Sequence, residues 1–279
     1  MLYAFVNHQL EPYHQANLHV SDLAIQRGYG VFDFLKMKGT QALFMDDYLD
    51  RFFRSARLME LEVPLSRESL KEKVAELASR NNMEESGIKM ILTGGYSENG
   101  FDPVEPNLLI IQQPLTMPAE SKISQGIRII THEHAREMAQ AKTINYTTGI
   151  RLIKQIKSQG AEEVLYHFNG EALEFPRCNF FLVKQDDTVI TPARGVLEGI
   201  TRKNVLALAA KKYKAEAGIV TLADIAQAKE AFLTSTTKRI LPIVQVDDKI
   251  IGDGKPGPVT KALLQDLVEL EAQHLNSYA

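Results

Sequence analysis

Two stretches of the chain could hold an anion. In LEGITRKNVLALAA a glycine turn delivers Ile200 and Thr201 to the start of a well-patterned helix. The first N–H groups of a helix lack intrahelical partners and sit at the positive end of its dipole. Phosphate or carboxylate is favoured there, with the Thr201 hydroxyl as a further donor. Ordinary threonine capping explains the same residues, and the spacing alone leaves both readings open. In LTSTTKR the hydroxyls of Thr234, Ser235 and Thr236 follow a strand-like run. They form a second anion candidate or a plain polar turn.

Other patterns carry less chemistry. GDGKPG, Gly252 to Gly257, has the glycine spacing of a dinucleotide-binding turn. That motif needs a helix, a strand and an acidic residue beyond it, and too little chain follows. It reads as a turn before the last helix. His132 and His134 could share one strand face, but Glu133 points the other way and no further ligand is near in sequence. They read as solvated loop histidines, and no metal site is expected. Cys178 is the only cysteine, which excludes an internal disulfide and a cysteine zinc site.

Periodicity gives the elements that must position these residues. Short strands are expected over Leu2 to Asn7 and Tyr29 to Lys38. A helix opens at Asp46, with Leu49, Phe52, Phe53, Ala56, Leu58 and Met59 mainly on one face and two aspartates at its dipole-positive start. A second helix spans Arg67 to Arg80, and strands Gly87 to Leu92 and Asn107 to Gln112 flank a glycine loop, GGYSENG. PLTMPAESKISQG then lacks periodicity and reads as a linker. Beyond it come a strand (Ile127 to Thr131), a helix (Thr148 to Gln159), and strands (Glu163 to His167, Asn179 to Lys184). A helix from Arg202 to Tyr213, a strand from Glu230 to Thr234, a hairpin-like stretch from Leu241 to Ile251 and a helix after Pro258 complete the chain.

This order is not a regular βαβ alternation, so the fold class is α+β in two domains. The expected division is a small N-terminal domain over 1–113, a linker over 114–125 and a larger C-terminal domain over 126–279. Lys+Arg is 32 against Asp+Glu 35, a net charge of −3. That argues against a basic nucleic-acid footprint, and no apolar run is long enough to span a bilayer. The N-terminal stretch lacks the basic start and apolar core of a secretory signal, so an intracellular, cytoplasmic protein acting on small molecules is expected.

Read in order, YAFVNHQL, GYGVFDFLKM, YLDRFFRSARL, AKTINY, NGEALEFPRCNFFLV, LEGITR, FLTSTTKRILPI and GPVTKAL resemble the class IV, or fold-type IV, pyridoxal-phosphate aminotransferases nearly end to end. The relatives are branched-chain amino acid aminotransferases, D-amino acid aminotransferases and aminodeoxychorismate lyases. The resemblance implies pyridoxal 5′-phosphate as cofactor and transfer of an amino group from an amino acid to a 2-oxo acid. It also implies a homodimer with the active site near the subunit boundary. GPVTKAL and the Lys-x-x-Asn-Tyr segment resemble the branched-chain enzymes most. The runner-up is a lyase making 4-aminobenzoate and pyruvate. A catalytically silent cofactor-binding protein is a third reading.

By resemblance, Lys142 matches the Schiff-base lysine, and a deprotonated amine there could attack the cofactor and move a proton. Glu174 matches the glutamate facing the pyridine nitrogen, Tyr146 the tyrosine at the 3′-oxygen, and Arg51 the arginine at the phosphate. Ile200 and Thr201, with Ser235 and Thr236, would complete the phosphate cup, so the two anion candidates converge on one group. Asn179 keeps the family's spacing after Glu174. Substrate binding would fall to Phe32, Lys36 and Arg177. Strand alternation puts Phe32, Phe34 and Lys36 on one face. Phe32 replaces a tyrosine that helps bind carboxylate in D-amino acid enzymes. Phe34 stands where branched-chain enzymes usually have glycine, and Lys36 where they often have arginine. Arg177 is either a carboxylate-binding group or a solvent-facing one.

Overall fold

The alternation in GYGVFDFLKM and the apolar stripe of DDYLDRFFRSARL build the first part of the molecule. The structure, a computed structural model, describes residues 1–277. Contacts divide the chain into two units. Among the described residues, unit 1 holds Met1–Thr116, Ala141–Asn145 and residues 273–277; unit 2 holds Met117–Gln140 and Tyr146–Ala272.

Unit 1 contains β1 (Tyr3–Val6), β2 (Gln9–Pro12), α1 (Leu23–Arg27), β3 (Gly30–Lys38), β4 (Gln41–Ala42), α2 (Met45–Leu58), α3 (Arg67–Asn81), β5 (Glu85–Thr93) and β6 (Leu108–Pro114). Its strands form one sheet in the order β2-β1-β6-β5-β3-β4, antiparallel throughout. Along β3, Val31, Asp33, Leu35 and Met37 are buried on one face, while Phe32 and Phe34 on the other are half-buried. α2 packs on β3. Its inward stripe is Met45, Tyr48, Leu49, Arg51, Phe52, Ser55 and Ala56, the 3–4 spacing of one helical face. Full burial of side chains such as Leu49 and Phe52 contributes about 1.5–3 kcal/mol each. Arg51 and Ser55 therefore reach the sheet because the helical period turns them inward.

Unit 2 contains α4 (Glu120–Gln125), β7 (Ile127–Glu133), α5 (Thr147–Arg151), α6 (Ile153–Ser158), β8 (Glu163–Phe168), β9 (Glu171–Ala172), β10 (Asn179–Val183) and β11 (Val189–Pro192). It continues with α7 (Ile200–Ala209), β12 (Ala215–Gly218), α8 (Leu222–Ala226), β13 (Glu230–Ser235), β14 (Arg239–Val246) and β15 (Lys249–Ile250). α9 (Pro258–Asn276) begins here and runs past Gln273. The sheet order is β12-β11-β10-β13-β14-β7-β8-β9, with β15 on β14. The pairs β11–β12, β14–β7 and β7–β8 are parallel. Every residue of β10 is buried. Phe181 and Phe232 lie directly opposite across β10 and β13 and stack with centroids 4.9 Å apart.

Several sequence expectations change. The stretch 114–125 is not wholly irregular: ESKISQ forms α4, and Ile123 packs against the core of unit 2. The helix expected over Thr148 to Gln159 is two short helices meeting at Leu152. Lys142, expected in the C-terminal domain, groups with unit 1, because residues 142–144 bond to β3 and to α2. The expected C-terminal domain also includes 278–279, which lie outside the described residues.

The GDGKPG turn leads into α9, and the anion at that helix start is the protein's own. Buried Glu230 accepts from the Val259 and Thr260 N–H groups at 3.0 and 2.7 Å and from the Thr260 hydroxyl at 2.7 Å. A carboxylate already occupies the place a phosphate would take. A Cβ on Gly257 would overlap the Glu230 side chain.

Candidate active site

In unit 1 the candidate lysine is held by its backbone. The Lys142 carbonyl accepts from Phe32 N–H at 2.9 Å, and the Lys142 N–H donates to Ser55 Oγ at 3.0 Å. Thr143 bridges Val31, and Ile144 N–H donates to the Gly30 carbonyl at 3.1 Å. The segment thus lies along the edge of β3 that β5 leaves open. Gly30 leaves room on both sides of β3, since a Cβ there would fall 2.6 Å from Leu92 O on β5 and 3.2 Å from Ile144 Cδ1 in the lysine segment. Lys142 Nζ lies 4.6 Å from the centre of the Phe32 ring, and Lys89 Nζ lies 5.9 Å from it.

Arg51 and Asp33 form a buried two-pronged pair: Nε to Oδ2 at 2.9 Å and Nη2 to Oδ1 at 2.6 Å. Side-chain exposure is 5% for Arg51 and 0% for Asp33, so neither charge could be there alone. Phe32, Phe34 and Lys36 share one face with Gly87, Lys89 and Ile91 of β5, as the β3–β5 register requires. The Phe34 ring lies over Gly87, where a Cβ would overlap it. Lys36 is 8% exposed.

In unit 2 the candidates gather around three residues. Glu174 accepts from Arg136 Nε at 2.8 Å and Nη2 at 2.5 Å through Oε1, and from Leu197 N–H at 2.9 Å through Oε2. The Leu197 carbonyl accepts from Asn179 Nδ2 at 2.7 Å. Asn179 pairs with Thr234 across β10–β13 and bridges back to Glu174. Gly199, the residue before α7, lies so close to Asn179 that a Cβ would overlap Asn179 Oδ1. Asn179 therefore ties the Gly199 turn that opens α7 to the end of β13, where the chain runs on into Ser235 and Thr236. No side chain caps α7. The Thr234 hydroxyl is buried without a partner among the described residues.

The turn after β13 is held at both ends. Lys238 pairs with Glu163 on β8 and lies 3.8 Å from Cys178 Sγ. Burial pushes the Cys178 thiol up. Arg239 Nε donates to Glu271 on α9 at 2.9 Å. Arg177 is exposed, its Nη2 3.4 Å from Glu163 Oε1. Tyr146 is half-buried at the start of α5.

Uncapped helix N–H groups, an orphaned buried hydroxyl and adjacent serine and threonine residues suit a phosphate, and a buried carboxylate suits a protonated ring nitrogen. These donors fit pyridoxal 5′-phosphate. A model of the family described as amino-transferase class IV matches residues 30–246. The chain belongs to the class IV aminotransferases. It is a pyridoxal-phosphate-dependent aminotransferase of fold-type IV, an enzyme that moves amino groups between amino acids and 2-oxo acids.

Relatives similar to it include enzymes named for D-alanine and for branched-chain amino acids. A D-alanine aminotransferase of Listeria monocytogenes serotype 4b is 29% identical, covering 95% of this chain and 94% of that protein. A branched-chain-amino-acid aminotransferase of Pseudomonas aeruginosa is 28% identical, covering 97% and 93%. Among solved structures, the branched-chain amino acid aminotransferase from Escherichia coli superposes with a TM-score of 0.87 at 24% identity, covering 96% of this chain and 93% of that one. None of these relatives points to the lyase. No helix among the described residues is long and apolar enough to cross a membrane, and no cluster of three or more histidine, cysteine or carboxylate side chains placed to hold a metal lies among them.

Arg136 escapes the sequence reading. HEHAREMAQAK has no periodic or motif signal that selects it. The role of Asp33 is equally hidden, although an aspartate at a buried strand position calls for a partner.

Proposed function

We propose that this aminotransferase takes its amino group from an amino acid with an apolar, branched-chain-like side chain and works as a cytoplasmic homodimer. The observation that carries the substrate class is the face of β3. Phe32 and Phe34 line it, with the Phe34 ring on Gly87 and lysines at 36 and 89. An aliphatic side chain suits the rings, and a 2-oxo acid's carboxylate suits the ammonium groups.

Lys142 would hold the cofactor through its amine and, as a free base, would move the proton at the substrate Cα. Glu174 would keep the ring nitrogen protonated, and Tyr146 would donate to the 3′-oxygen. The N–H groups of Ile200 and Thr201 and the hydroxyls of Ser235 and Thr236 hold the phosphate, with Arg51, oriented by Asp33, as its counter-charge. Lys36 meets a substrate carboxylate. Arg177, mostly exposed, recruits carboxylates at longer range. When bound, the cofactor supplies an electron-withdrawing ring that stabilises negative charge at Cα. The exposed apolar residues Val20, Ile25 and Phe101, at and near the glycine loop and α1, support pairing with a second copy.

The test is a panel of L- and D-amino donors with 2-oxoglutarate and pyruvate, combined with borohydride fixation of the cofactor. Leucine, isoleucine or valine should lead the panel, and the label should fall on Lys142. A label on another lysine rejects the site; a preference for D-alanine rejects the substrate class. A fully active monomer in light scattering rejects the dimer.

A further inference from the structure

The Glu174 carboxylate shares its charge with a neighbour. Arg136 Nε and Nη2 both reach Glu174 Oε1, a charge-assisted fork in which the donor is planar and rigid. The Glu174 side chain is 5% exposed and that of Arg136 13%, so water screens the pair little. Arg136 Nη2 also donates to the Ala139 carbonyl at 2.8 Å, in the segment that runs on to Lys142.

We propose that Arg136 is a positioning residue for the transamination, fixing the Glu174 carboxylate and withdrawing part of its charge so that the ring-nitrogen proton is held less tightly. This rests on the reading that Glu174 faces that nitrogen. A carboxylate beside a guanidinium is a weaker base than one in water, because the cation stabilises its ionised form. A proton shared with it is correspondingly less favoured.

Other charges near Glu174 come from neighbouring elements. Arg202 on α7 feels both Glu198 and Glu174, while burial pulls its guanidinium down. Tyr166 on β8 is pushed up to about 12, chiefly by burial, and stays neutral; Glu163 is its other acidic neighbour. Lys238 is already paired with Glu163. His134 is pushed down by burial first, then by His132, Arg136 and Arg151. Arg136 bonds Glu174 directly, through two nitrogens.

The test uses holoenzyme and reads the pH midpoint of the bound cofactor's near-visible absorbance without substrate, then kcat and KM. Losing a nearby cation favours every protonated form of the cofactor. Arg136→Gln should therefore raise the midpoint by about one unit and lower kcat more than it changes KM. Arg136→Lys returns the charge but not the fork, so the midpoint should return towards wild type while kcat stays low. A wild-type midpoint in Arg136→Gln, with Glu174→Gln shifting it, overturns the proposal and leaves Glu174 in place. A midpoint that moves in neither variant removes Glu174 from the ring nitrogen and the proposal with it. If Arg136→Gln does not fold, Arg136→Lys decides: wild-type kcat in that variant overturns the role.

Discussion

Arg51 and Ser55 lie one helical turn apart on α2 and face the same sheet. Arg51 grips Asp33 while Ser55 receives the N–H of Lys142. One helix face thus serves both the buried ion pair and the segment carrying the candidate lysine, and changes along it should have separable effects.

Arg51→Ala leaves Asp33 charged and buried, which should cost about 3–5 kcal/mol. Asp33→Asn keeps the guanidinium. If Arg51 meets the phosphate, Asp33→Asn should hold cofactor more tightly than Arg51→Ala. Equal dissociation constants for the two variants, measured by fluorescence titration, would remove Arg51 from the phosphate.

Ser55→Ala removes the acceptor of the Lys142 N–H. Loss of one such bond should cost about 0.5–1.5 kcal/mol in thermal or urea unfolding. Since the bond orients the lysine's backbone, kcat should fall while cofactor affinity stays near wild type. Unaltered turnover would make the bond purely structural.

Gly87→Ala puts a methyl group where the Phe34 ring lies. The ring must swing away along the face it shares with Phe32 and so narrow the room for a side chain. The KM for leucine should rise roughly tenfold relative to alanine. Parallel changes for both donors would show that Phe34 does not bound the side-chain space.

Tyr166 should titrate well above the ordinary tyrosine range in a spectrophotometric titration. Its phenol is pushed up to about 12 by burial. A folded-state pKa above the unfolded value near 10 means its contribution is intact below about pH 10 and is lost as pH rises towards 12. Tyr166→Phe should flatten that alkaline limb of the stability curve. An unchanged limb assigns the loss to other groups.

Much of this is legible in the sequence because it rests on short periods. The alternation in GYGVFDFLKM puts Phe32, Phe34 and Lys36 on one face, and that is how β3 presents them. The 3–4 stripe of α2 is visible as well. Hidden features depend on which distant groups meet. The stripe includes Arg51, but nothing local announces Asp33 as its partner. Asn179 stands out only by its spacing, whereas its work is to tie the Leu197 carbonyl and the Gly199 turn to β13. Arg136 lies in a stretch without pattern. The short elements α1, α4, α8, β4 and β9 go unseen because one turn or two residues leave no measurable period.

The placement of residues 141–145 has a consequence for synthesis. Their bonds to β3 and α2 belong to unit 1, but they lie beyond the unit's main stretch, which ends at Thr116. A nascent chain that has emerged through Thr116 can pair all six strands of that sheet, while the edge of β3 at Gly30–Phe32 stays bare. At roughly 5–20 residues per second, the ribosome supplies the missing segment only seconds later. During that interval the exposed edge is open to strands of other chains. The lysine segment therefore also closes a vulnerable seam, and expression at slowed translation should increase aggregation through β3.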